Sequence, residues 1–165
     1  MGEKLGPEIW TTNADNGSAT NWAGYGNNTV TTDSGMVKVT YVDDSRGCSH
    51  YLRGAYNLSG DLTFGVIYKL QFDGKVNSGS VDLYLGNARN PIGHTFSNTS
   101  METFVYYFAP KDPGSGATDV NYFRINNMGA GQIVHLDNFS IKEVQGSPGV
   151  GINMDSNDIE ADAPK

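Results

Sequence analysis

The chain has 165 residues, a net charge of −7 and a pI near 4.7, and it holds 21 Gly, 16 Asn, 13 Ser, 13 Asp and 12 Thr. That length suits one domain with its own core, whereas a composition so poor in helix formers and so rich in turn residues excludes a helical bundle. The negative charge works against non-specific attraction to phosphate backbones or anionic lipid, no run of about 18 apolar residues offers a membrane span, and Met1–Trp10 carries Glu3, Lys4, Gly6, Pro7 and Glu8 where a signal peptide would need its apolar stretch.

In chain order, Glu8–Thr12 and Trp22–Gly26 read as short strands. Met36–Val42 places Val37, Val39 and Tyr41 on one face, and Ser49–Leu58 is a weaker strand pattern. The strongest alternation runs from Leu62 to Asp73, with Leu62, Phe64, Val66, Tyr68, Leu70 and Phe72 on one side. Val81–Leu85, Ile92–Phe96, Phe104–Phe108, Asp119–Asn126 and Gln132–Val144 follow. About ten short strands separated by polar turns predict an all-β, antiparallel, two-sheet jelly-roll sandwich, with a closed barrel as the rival. Residues 1–145 would form that domain. Residues 146–165 read as a Gly/Pro linker and an acidic tail with four acids and one Lys.

Catalytic patterns are weak. His50, His94 and His135 stand in no ligand-pair spacing, and Gly114-Ser115-Gly116 lacks the context of a nucleophile turn. Glu102 and Glu143 are the Glu residues away from the termini, and neither lies in a cleft-like segment. Cys48 and His50 sit two apart, so one strand would point both to the same face, but no third group orients them. No enzyme is expected.

One local feature carries mechanism. From Val134 and Leu136 to Phe139 and Ile141 the apolar phase slips by one residue across Asp137-Asn138. A bulge there restores the phase and turns Asp137 out of the ladder, toward a cation or an arginine, unless it is simply a solvent-exposed acid. The loop Asn13–Gly17, with Asp15, offers oxygens for the other half of a Ca²⁺ site. For a sugar, aromatic faces and planar polar forks on the solvent side of a sheet are needed. The alternation nominates Tyr84 and Tyr107, with Arg53, Asp82 and Asn126 as polar companions, and leaves Trp10 and Trp22 to the core or its lid.

The segment Gly6-Pro7-Glu8-Ile9-Trp10-Thr11-Thr12-Asn13-Ala14-Asp15 resembles the opening of carbohydrate-binding modules of families 4, 9 and 22. His135-Leu136-Asp137-Asn138-Phe139-Ser140-Ile141-Lys142-Glu143-Val144 is similar to their closing strand, and Gly60–Asp73 to an internal one, so the resemblance spans about residues 6 to 145. It implies a non-catalytic jelly-roll, often with a structural Ca²⁺, here through Asp137 and Asp15. Ala14 and Asn16 depart from the usual Gly and Phe of that opening. Modules of this appearance also occur in phage tail, fibre and head-decoration proteins. The favoured expectation is therefore a virion surface component that decorates a capsid or tail and touches glycans. Capsid or tail proteins would be its partners, and the tail would serve as an arm for homo-oligomeric or larger assembly, with no nucleic acid and no membrane insertion. The alternative is a carbohydrate-binding module of a secreted polysaccharide-degrading enzyme.

Overall fold

The computed structural model describes residues 3–11, 19–54, 56–86, 92–110 and 121–146, with only the backbone of 92 and 93. Eleven strands form among them: β1 (Leu5–Glu8), β2 (Trp22–Gly24), β3 (Thr29–Asp33), β4 (Met36–Thr40), β5 (Cys48–Tyr51), β6 (Tyr68–Val76), β7 (Val81–Gly86), β8 (Ile92–Phe96), β9 (Glu102–Phe108), β10 (Tyr122–Asn126) and β11 (Ile133–Val144). They make two antiparallel sheets. One runs β3-β4-β11-β6-β9 with β1 also paired to β11, and the other runs β2-β5-β10-β7-β8. Each sheet keeps open edges, so the architecture is a sandwich and the closed-barrel alternative falls away.

The core is the layer between the sheets. Val37, Val39, Leu70, Phe72, Val134, Leu136, Phe139 and Ile141 enter it from the six-stranded sheet, and Cys48, Leu83, Leu85, Phe123 and Ile125 from the five-stranded one. Each such side chain contributes about 1.5–3 kcal/mol by leaving water. Aromatic rings lock the two layers together. Phe123 meets Phe72 and Phe139 edge-on, at centroid distances of 5.1 and 5.5 Å. Trp10 stacks on Phe139 at 4.7 Å, and Trp22 packs between His50 and Phe123. Both tryptophans are thus core residues or its cover, as expected.

Several expectations change: the strand read at Glu8–Thr12 lies instead at Leu5–Glu8, and the one read at Ser49–Leu58 runs only over Cys48–Tyr51. The long alternation from Leu62 begins as a strand only at Tyr68, because Gly65, at φ +78°, turns the chain, with Val66 N–H bonded to Thr63 O and Gly65 N–H to Pro110 O. Phe64 therefore faces solvent although its parity matches that of buried Leu62. Strand β3 has one apolar residue, Val30, among threonines, so alternation does not reveal it. Its signal is the following turn, where Ser34 (φ +53°) and Gly35 (φ +79°) form a tight hairpin of primed type into β4.

The slip in β11 is a bulge. Register with β6 shifts between Asp137 and Ser140, and Asn138 takes φ +53°. Leu136 and Phe139 both reach the core as a result.

Candidate functional site

The outer face of the five-stranded sheet gathers Tyr25, Tyr51, Tyr84 and Tyr122. Register places Arg124 of β10 between Ser49 of β5 and Tyr84 of β7, Tyr122 beside Tyr51, and Asn126 beside Asp82. Phe123 and Ile125 alternate inward, so Tyr122, Arg124 and Asn126 are outward by necessity. The Arg124 guanidinium lies 4.2 Å from the Tyr122 ring centroid and 4.9 Å from that of Tyr25, and donates to the Tyr25 hydroxyl at 2.6 Å. Arg46 also stands over Tyr25, 4.7 Å from the ring centroid.

Asn28 builds this corner. Its buried side chain accepts from Val42 N–H and donates to the carbonyls of Asp44 and Arg46, at 2.7, 2.6 and 3.0 Å. The 42–47 loop is thereby held against Tyr25. Arg46 grips Asp44 through Nε and Nη2, at 3.1 and 2.7 Å, and these bonds hold the Asp44 carboxyl below its ordinary pKa. Asp82 accepts from Thr95 Oγ1 at 2.6 Å and from the Asn127 amide.

Among the described residues, two polar atoms on this face are buried without a hydrogen-bond partner: Arg124 Nε and Asn126 Oδ1. Native structures satisfy nearly all such atoms; both lie beneath neighbouring side chains, the Arg124 guanidinium between the Tyr122 and Tyr25 rings.

Of the residues nominated from sequence, Tyr84, Asp82 and Asn126 share this face. Tyr107 does not. It projects from β9 on the outer face of the opposite sheet, 38% exposed, with Lys69 Nζ 5.8 Å from its ring centroid. A single platform joining Tyr84 to Tyr107 is thus corrected, because the thickness of the sandwich separates them. Arg53 lies past the end of β5, in a pocket with Asp61 and Phe64. Tyr25, Tyr51, Tyr122 and Arg124 were missed. Adjacent Tyr122 and Phe123 leave the phase of β10 ambiguous, and only the buried pair Phe123 and Ile125 resolves it.

The bulge does not turn Asp137 out of the ladder as expected: it falls after Asp137, at Asn138 with its positive φ, so Asp137 stays directly across from Asp73. Both Asp73 oxygens already accept, Oδ1 from Thr103 Oγ1 at 2.6 Å and Oδ2 from Asn138 Nδ2 at 2.7 Å. Asp15 and the Asn13–Gly17 loop lie outside the described residues, as do residues 147–165 of the acidic tail. Among the described residues no group of three or more His, Cys, Asp or Glu is placed to hold a metal ion.

Cys48 and His50 do share the inward face of β5, but with the wrong chemistry for a nucleophile and its base. Burial pushes the Cys48 thiol up to about 12 and His50 down to about 4.

No protein-family model and no curated protein sequence matches the chain. Solved structures do. The CBM22-1 xylan-binding domain of Paenibacillus barcinonensis Xyn10C superposes with a TM-score of 0.56 at 10% identity, covering 88% of this chain and 97% of that one. The N-terminal cellulose-binding domain of β-1,4-glucanase C from Cellulomonas fimi gives 0.55 at 16% identity, over 79% of this chain and 93% of that one. A family 4 carbohydrate-binding module gives 0.55 at 16%, over 76% and 96%. The chain has the jelly-roll fold of carbohydrate-binding modules.

Proposed function

We propose that this chain is a non-catalytic glycan-binding module and that the outer face of its five-stranded sheet is the binding face. The observation that carries the reading is the outward cluster of half-buried Tyr25 and Tyr84 around Arg124, with Asp82 and Asn126 as polar companions on the same face. Sugar rings offer C–H faces for tyrosines and hydroxyls that both donate and accept, which is the complement of this surface. The likeness to xylan-binding and cellulose-binding domains supports the same class of ligand. It favours the module reading over the virion-surface one, for which no observation among the described residues speaks.

Titration calorimetry of the whole chain with soluble xylan and with cellohexaose tests the proposal. Saturable binding that falls at least tenfold in Arg124→Ala and in Tyr84→Ala, while Tyr107→Ala binds as the parent does, supports it. A charge-assisted hydrogen bond is worth about 1.5–3 kcal/mol, which sets that scale. Binding unaffected by Arg124→Ala and Tyr84→Ala, or no binding to either glycan, would overturn it.

A further inference from the structure

A second concavity lies apart from the outer face, beyond the end of β5. Leu52, Arg53, Asp61, Leu62, Phe64 and Asn121 enclose about 140 Å³ there. Leu52 and Leu62 belong to the core, and Asn121 is only 1% exposed, yet its Oδ1 has no hydrogen-bond partner. An amide oxygen buried without a donor works against folding, so the position is better explained by something that arrives later. Asp61 uses Oδ1 to accept Gly54 N–H at 2.9 Å and leaves Oδ2 unused among the described residues. The Arg53 guanidinium makes neither an ion pair nor a hydrogen bond among the described residues, although Asp61 lines the same pocket. Phe64, 48% exposed, supplies an open ring.

These groups specify a ligand. Two acceptors and one guanidinium without partners among the described residues call for hydroxyl donors and a carboxylate, and one aromatic face calls for an apolar flank of ring size. We propose that the pocket is a separate subsite for one hexuronate residue of a glycan. The sugar carboxylate sits on Arg53, ring hydroxyls donate to Asn121 Oδ1 and Asp61 Oδ2, and the C–H face lies against Phe64. The pocket is of a scale for one sugar ring. The choice of a sugar rests on the glycan reading above, but no residue is shared with the outer face.

The test is an amide-resolved NMR titration of the whole chain with D-glucuronate, D-galacturonate and D-glucose. Expected are saturable shifts at Arg53, Asp61 and Asn121 with a uronate, and at least tenfold weaker binding of glucose. Arg53→Gln removes that preference, and Phe64→Ala, which truncates an exposed side chain, weakens uronate binding. Asn121→Leu raises the melting temperature while abolishing the shifts, as expected of an acceptor kept for a ligand at the expense of stability. The proposal is overturned if no uronate shifts these residues, or if glucose binds as tightly as the uronates and Arg53→Gln changes nothing. Tyr84→Ala leaves this titration unchanged, so loss of xylan binding at the sheet and loss of uronate binding in the pocket are read independently.

Discussion

The carboxylate of Glu8 accepts the amide N–H of Ile141, with Oε1 2.7 Å from the nitrogen, across 133 residues of chain. Partner β4 has left β11 after Leu136, and β1 pairs with it only from Lys142. Glu8 fills the interval. Its Oε2 also accepts from Ser140 Oγ at 2.5 Å, and the Ile141 carbonyl accepts Ile9 N–H at 2.8 Å. Replacing Glu8 by Ala should lower unfolding stability by about 1.5–3 kcal/mol, the scale of hydrogen bonds to a charged acceptor. Glu8→Gln keeps an acceptor and should lose less. Urea melts with an unchanged slope would register both effects.

Cys48 is fully buried and its thiol is pushed up to about 12, chiefly by desolvation. A thiol-reactive disulfide reagent at pH 8 should leave the native chain unmodified and label Cys48 stoichiometrically in denaturant. Rapid labelling of the folded chain would contradict the packing of β5.

His50 is packed between Trp10 and Trp22, at centroid distances of 4.9 and 5.0 Å, with neither ring nitrogen hydrogen-bonded. Burial lowers its pKa from 6.5 to about 4, so the folded state holds the neutral ring while the unfolded state takes up the proton first. Stability from this group is complete above pH 6.5 and is lost as pH falls from 6.5 toward 4. The loss approaches about 3 kcal/mol. In His50→Phe the decline across that window should flatten. Melting temperatures measured from pH 7.5 to 4 in both proteins check the sign.

Asp137 and Asp73 face each other across the β11–β6 ladder. Directly opposed like charges cost a few tenths to about 1 kcal/mol, so Asp137→Asn should stabilise the chain by that amount in EGTA. The structural Ca²⁺ implied by the family resemblance makes a further demand. Millimolar calcium should raise the melting temperature of the parent and leave that of Asp137→Asn unmoved. Calorimetric scans in EGTA and in calcium read both arms.

Alternation in the sequence was enough to place the cores of β4, β7, β9 and β11, since Val37, Val39, Leu83, Leu85, Phe108, Val134 and Leu136 are all buried. The one-residue slip at Asp137-Asn138 was legible for the same reason: two apolar residues must both reach the core, and only a bulge permits it. What alternation cannot carry is the identity of the sheet. It says that Tyr84 and Tyr107 both point outward, but outward has two directions in a sandwich, and the choice is made by pairings between residues tens of positions apart. Arg124 was hidden more deeply. Its setting depends on Tyr25, 99 residues away, which lies in the turn before Asn28 and against the 42–47 loop that Asn28 holds. The false extension of β6 back to Leu62 shows the converse error, a period of two kept up by residues that sit in a turn.

Strand β11 lies inside the six-stranded sheet, bonded to β6 on one side and to β4 and then β1 on the other. On a ribosome this means that β1, β4 and β6 wait, with their edges unsatisfied, until residues 133–144 have been made. The sheet then assembles in one late step, from contacts of high sequence separation, which makes for slow folding and a vulnerable nascent chain.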